Sequence, residues 1–240
     1  QLQSIVVRGN QAYLPNIAAS TSGPLRFNLD TQAFVNVIDN AASGAPADAS
    51  ATKFLNLHLG ARTPEAGKTR LFFANPWAIA FTTQSGAGNA YVVSAGSDLL
   101  VKLNVAADGK LDFTGGPATT RYIDLNGEEA ANSGANAGKN PLGIVIRNNR
   151  AFTMNYVSRN LSVVDLATDS VAQVIKLTNL PKPGSLDEVS QVGKEVFFAS
   201  RGVFNRPDGT TVSTRDRLSS EGWQNCASCH FNGWTDGNVW

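Results

Sequence analysis

Sulfur and imidazole are nearly absent from this 240-residue sequence, which has two cysteines, one methionine and two histidines. A structural zinc site wants four ligands. Beside Cys226, Cys229 and His230 the only further candidate is His58, far away in sequence, so such a site is not supported. Charge is also scarce, at 16% of residues with a formal net charge of +1. That balance argues against a nucleic-acid surface or a basic membrane patch, both of which concentrate Lys and Arg. No apolar run approaches bilayer-spanning length, so no membrane span is expected. The opening Gln1-Leu2-Gln3-Ser4 lacks a signal-peptide profile, so an exported protein would already have lost its targeting segment. A disulfide between two cysteines this close would shut a very small loop and stabilise little. A ligand or attachment pair is the more common use of such spacing.

What the chain has in abundance is short β-forming segments separated by turn residues. Ser4–Val7 and Gln11–Leu14 flank an Arg8-Gly9-Asn10 turn. The plan recurs at Pro141–Ile146, Ala151–Met154, Asn160–Leu166 and Val171–Leu177, four strands in about forty residues, the size of one propeller blade. Asn75-Pro76-Trp77-Ala78-Ile79 parallels Asn140-Pro141-Leu142-Gly143-Ile144, and Asn89–Val93 parallels Arg150–Met154. Three diverged repeats follow, near 4–40, 75–115 and 140–178. An antiparallel sandwich uses similar strands and stays open at this level. Two low-complexity tracts, Ala41–Thr52 and Gly127–Lys139, are expected as exposed loops.

The third repeat resembles the YVTN-type β-propeller repeat, whose blades open with Asn-Pro-x-Gly-Ile and carry a Val-Asp-x-x-Thr turn. The resemblance implies a mainly β fold, a partial propeller of about three four-stranded blades over residues 1–184. Three blades do not close a ring, since propellers use roughly four to eight. Further polypeptide is therefore expected to complete it, and the chain reads as part of a longer protein.

From Ser185 the character changes, and Cys226-Ala227-Ser228-Cys229-His230 is the C-x-x-C-H haem attachment signature. Two thiols can add to the two vinyl groups of one haem, and the short loop then presents the next residue, His230, to the iron as an axial ligand. A redox-active dithiol would want a thioredoxin-like βαβ context, absent here, and a plain disulfide stays open. Gly193-Lys194 with Phe197-Phe198, then Arg217-Leu218-Ser219, the haem motif and Thr235-Asp236-Gly237 resemble the opening of bacterial di-haem cytochrome c peroxidase and MauG-like domains. An insertion over 199–216 departs from that family's spacing. The resemblance implies a short, mostly helical or irregular c-type cytochrome segment at 185–240, and an extracytoplasmic location, in the periplasm or at the cell surface.

The expected cofactor is covalent haem c, held by Cys226, Cys229 and His230. Arg217 is a candidate for the propionates, and Trp223, Phe231 and Trp234 for apolar walls that exclude water. A sixth iron ligand would be His or Met. His58 reads more readily as a strand residue on a polar face, and Met154 as core. The expected function is electron transfer with a redox partner protein or a small-molecule donor or acceptor. Two alternatives remain: a haem peroxidase or MauG-like oxidase whose catalytic remainder lies outside this sequence, and a propeller binding module with an accessory haem.

Overall fold

The computed structural model describes residues 2–19, 30–114, 119–127, 129–202, 204–205, 211–212 and 222–234. The chain is mainly β, built as three antiparallel sheets of four strand positions, stacked face to face in a propeller-like manner.

The first sheet runs β1 (Val6–Arg8), β2 (Gln11–Ala19), β3 (Thr31–Asp39) and a divided edge of β4 (Ala47–Asp48) and β5 (Leu55–Asn56), both pairing with β3. Two short helices, α1 (Ser50–Lys53) and α2 (Leu57–Gly60), punctuate that edge. β6 (Thr63–Pro64) leads to the second sheet, ordered β7 (Pro76–Phe81), β8 (Gly88–Ser94), β9 (Leu99–Val105) and again a divided edge. Here β10 (Leu111–Phe113) and β11 (Thr119–Asp124) share β9, and β6 joins β11 in parallel. The third sheet is β12 (Pro141–Arg147), β13 (Arg150–Asn155), β14 (Asn160–Asp165) and β15 (Ser170–Lys176).

Burial explains the difference in pattern between these sheets. β3 alternates buried and half-buried residues, as one covered face requires. β8 and β9 instead carry near-continuous apolar runs, Ala90–Val93 and Leu99–Val101, because the middle sheet is covered on both sides. One core joins Tyr13, Val35 and Val37 to Ile79, Val92 and Leu103. The other joins Tyr91, Val93, Leu100 and Leu125 to Ala151, Val164 and Val171. A fully buried Val, Leu or Phe contributes roughly 1.5–3 kcal/mol, so these two layers dominate stability.

The Asn-Pro repeats mark a shared backbone device. Asn75 and Asn140 both have positive φ, 52° and 54°. Each accepts a hydrogen bond at its carbonyl, from Ala95 N at 2.8 Å and Tyr156 N at 2.9 Å. Each is followed by a register irregularity, at Pro76/Ala78 and Pro141/Gly143. Asn tolerates the left-handed region better than other residues with side chains. A proline opening the strand sacrifices no needed donor.

Three sequence expectations need correction. Met154 is 49% exposed, because β13 turns it to the free face of the third sheet and not into the core. His58 lies in α2, not in a strand, and is only 3% exposed. The two low-complexity tracts are not simply exposed loops: Ala49 and Ala137 are buried, and Ala47–Asp48 adds to the first sheet.

After β15 the chain forms α3 (Leu186–Phe198), capped by Ser185, whose side chain accepts from Glu188 N at 3.2 Å. Its face carrying Leu186, Val189, Val192 and Val196 is exposed. Among the described residues, no helix is long and apolar enough to cross a membrane.

Candidate functional site

Cys226 to His230 form a single tight turn. Cys226–Ser228 is 3-10 helical, and Cys226 O accepts from both Cys229 N (3.2 Å) and His230 N (2.9 Å). A second short turn, Phe231–Gly233, follows at once. In a 3-10 turn residues three apart eclipse, which is the spacing of the two cysteines. Ala227 and Ser228 are buried (3% and 4% exposed), whereas Cys226 and Cys229 are half-buried and His230 is exposed. Neither cysteine is in a disulfide. The exposed imidazole and the two half-buried thiols thus belong to a turn whose intervening residues are fastened to the protein.

The fastening is a dense polar network. Ser228 Oγ accepts from Asn225 N (3.1 Å) and donates to Asn225 Oδ1 (2.9 Å), closing a capping box. Asn225 Oδ1 also accepts from Asn75 Nδ2 at 3.0 Å, and Asn225 Nδ2 donates to Phe198 O. The same amide group of Asn225 rests on Gly96, where a Cβ would sit 2.6 Å from Nδ2 and 2.8 Å from Ala74 Cβ. Ser200 donates to Gly96 O through both its N–H (2.6 Å) and its hydroxyl (2.7 Å). Arg201 grips Asp124 with two bonds of 2.9 Å and donates to Asn126 O at 2.8 Å. Planar bidentate pairing of this kind fixes orientation as well as charge.

Trp223 ties the same segment to the first sheet. Its Nε1 donates to Thr31 O at 2.8 Å, and its ring lies 4.2 Å from both His58 and Phe72. Neither ring nitrogen of His58 has a hydrogen-bond partner, although the nearby Phe73 backbone slightly favours the charged ring. Burial dominates and pushes the His58 pKa down from 6.5 to about 3, so the ring is neutral. Phe231 packs on Trp77 with ring centroids 5.6 Å apart, and Trp234 is 77% exposed.

Of the residues singled out from the sequence, the fold brings together Cys226, Cys229, His230 and Phe231. Trp223 turns away into the His58–Phe72 stack, Trp234 faces solvent, and Arg217 lies outside the described residues, as does Thr235-Asp236-Gly237. Asn225, Gly96, Ser200 and Arg201 were missed. Nothing local marks Asn225, whereas its partner Asn75 carried the signal of the repeated Asn-Pro.

Among the described residues, no three His, Cys, Asp or Glu side chains converge as a metal-ion cage requires. A cleft of about 590 Å³ opens elsewhere, beside β11 and α3, lined by Tyr122, Asp124, Asn126, Lys139, Glu195 and Arg201. Its charges are already paired, Arg201 with Asp124 and Lys139 with Glu195 at 2.5 Å, and no residue of β1, β7 or β12 lines it.

No protein-family model and no curated protein matches the chain. Solved structures overlap it at low identity. One is a functionally unknown protein from Desulfotomaculum acetoxidans DSM 771, with 11% identity, a TM-score of 0.43, and coverage of 89% of this chain and 49% of that one. Another is a candidate 6-phosphogluconolactonase from Bacteroides fragilis NCTC 9343, with 14% identity, a TM-score of 0.36, and coverage of 83% and 44%. The chain thus spans about half the length of these proteins.

Proposed function

We propose that this chain is an exported c-type haem protein of electron transfer, with haem c attached covalently through Cys226 and Cys229 and His230 as an axial iron ligand. The observation that carries the reading is the tight turn itself: Cys226 and Cys229 are half-buried and His230 exposed, while Ala227 and Ser228 between the thiols are buried. When bound, the haem supplies one-electron exchange between Fe(III) and Fe(II), which no side chain here can do alone.

The chain's own residues contribute attachment and position. Cys226 and Cys229 are not joined in a disulfide, as thioether formation needs. The i→i+4 bond from His230 N to Cys226 O sets the imidazole on the same turn as the thiols. Ser228 and Asn225 hold that turn to the second sheet, and Phe231 over Trp77 gives an apolar floor beside it. A prearranged turn loses less conformational freedom on attachment, which favours one geometry over many.

Location follows from this reading, since covalent haem attachment occurs outside the bacterial cytoplasm. The redox partner is a protein or small molecule that reaches the turn at its exposed His230. Further polypeptide covers the outer sheets, whose apolar residues Val7 and Val145 are 59% and 64% exposed. The test is an absorption spectrum, oxidised and dithionite-reduced, with an intact mass under denaturing conditions, after expression in an exporting host with haem-attachment machinery. Sharp reduced α and β bands and a mass excess of one haem are expected, and Cys226→Ser with Cys229→Ser should abolish both. A colourless protein of bare polypeptide mass refutes the reading.

A further inference from the structure

One tripeptide of the second sheet holds both ends of the Cys226–His230 turn. Asn75 Nδ2 donates to Asn225 Oδ1 at 3.0 Å, and Asn225 immediately precedes Cys226. The Trp77 and Phe231 ring centroids are 5.6 Å apart, and Phe231 immediately follows His230. Between the two contacts lies the attachment pentapeptide itself.

The tripeptide is fixed in its own right. Asn75 is 2% exposed and sits in left-handed backbone, with φ of 52°. Trp77 is the extra residue of a bulge: β7 pairs Pro76 with Ser94 and Ala78 with Val93, so Trp77 has no cross-strand partner. A bulge re-aims a side chain out of the strand's alternation. The Trp77 side chain packs against the core shared by the second and third sheets, and its carbonyl accepts from Ser4 Oγ at 2.7 Å.

The third sheet supplies an internal comparison. Asn140-Pro141-Leu142 opens β12 with the same left-handed Asn, φ 54°, and the same bulge between Pro141 and Gly143. There the Asn amide donates to Ala95 O at 3.1 Å, inside the stack, and leucine stands where Trp77 stands. The backbone device is common to both repeats, whereas the indole and the amide contact with the C-terminal segment belong to the second. His230 is the residue this affects most. It lies between two 3-10 turns with φ of −103° and ψ of 64°, outside helix and strand. Its N–H donates to Cys226 O, and its carbonyl accepts from Gly233 N at 3.0 Å. Single turns of this kind have poor hydrogen-bond geometry, so the residues on either side must be held for His230 to keep one orientation.

We propose that Asn75-Pro76-Trp77 is a two-point clamp for the attachment turn, with Trp77 the positioning residue that fixes His230 through Phe231. The purpose of the clamp rests on the haem-attachment reading, but both contacts involve protein atoms alone, so it is testable with or without haem.

The experiment is amide hydrogen exchange of the full chain by mass spectrometry, comparing residues 226–234 with β8 and β9. Trp77→Leu installs the residue of the third sheet, and Asn75→Gly keeps the left-handed backbone while removing the amide. Each should speed exchange over 226–234 by roughly three- to tenfold, the size expected for losing one aromatic pair or hydrogen bond, and leave β8 and β9 unchanged. The matched changes in the third sheet, Leu142→Ala and Asn140→Gly, should not speed it. Phe231→Leu leaves the sheet core intact and should match Trp77→Leu. The double variant should add nothing further, because both substitutions remove one contact. In haem-loaded protein Trp77→Leu should also lower the reduction potential, by loosening His230 and admitting water, and Trp77→Phe should retain it. Unchanged exchange over 226–234 in Trp77→Leu and Phe231→Leu, additive effects of the two, or equal speeding by Leu142→Ala overturns the clamp. A colourless protein with the expected exchange pattern keeps the clamp and sinks the attachment reading, whereas a haem-loaded protein with unchanged exchange does the reverse.

Discussion

Replacing His58 by Phe removes a proton-binding group without emptying the stack that Trp223 and Phe72 make around it. The native ring is neutral down to about pH 3, and the unfolded ring takes up a proton near 6.5. Between those values the unfolded state binds more protons, so stability falls as pH drops below 6.5 and the full loss is reached near 3. At roughly 1.4 kcal/mol for each pH unit, the acid-side cost is about 3 kcal/mol by pH 4.5. The Phe variant escapes this cost, and it also removes two buried nitrogens that lack partners. Urea unfolding followed by tryptophan fluorescence at pH 7 and pH 4.5 reads the difference directly. The wild type should lose about 3 kcal/mol more than His58→Phe between the two. Because Trp223 lies over His58, the segment 222–234 should loosen before the sheets do, seen as an early change in emission. Equal losses in both proteins would show that the ring is not held neutral and buried, and would refute the argument.

Other predictions concern the same junction. Gly96→Ala places a methyl group 2.6 Å from Asn225 Nδ2 and 2.8 Å from Ala74 Cβ, and should cost about 1–3 kcal/mol in thermal unfolding. If the loss is absent, the segment does not rest on the second sheet. Ser228→Ala breaks the capping box and should lower stability by about 1 kcal/mol, with a smaller fraction of chains carrying haem by intact mass. Asp98 is fully buried, and desolvation raises its pKa from 3.8 to about 6. Its contribution is therefore present below 3.8 and lost as pH rises through 6, by about 3 kcal/mol. Relative to Asp98→Asn, the wild type should weaken from pH 4 to pH 6.5 in urea titrations. A difference that does not vary with pH would contradict that burial.

Short strands and their turns were legible because those signals are local, whereas which faces are covered emerged only in the fold. A strand covered on one face must alternate, as Thr31–Asp39 does, and one covered on both must not, as Leu99–Val101 shows. The repeated Asn-Pro likewise exposes a backbone need, a left-handed residue before a strand that can spare its first donor. Met154 was misread because its local pattern suits either side of a sheet, and His58 because an alternating run does not reveal the short helix α2. Only the presence or absence of a neighbouring sheet decides between those sides.

The attachment turn divides in the same way. The spacing of Cys226, Cys229 and His230 by itself set two thiols and an imidazole within five residues, the pattern on which haem attachment is proposed. Tertiary structure alone decided that Ala227 and Ser228 are buried and anchored while His230 is exposed. The decisive contacts, Asn225 with Asn75, Trp223 with His58 and Arg201 with Asp124, join residues 150, 165 and 77 positions apart, beyond the reach of any local pattern.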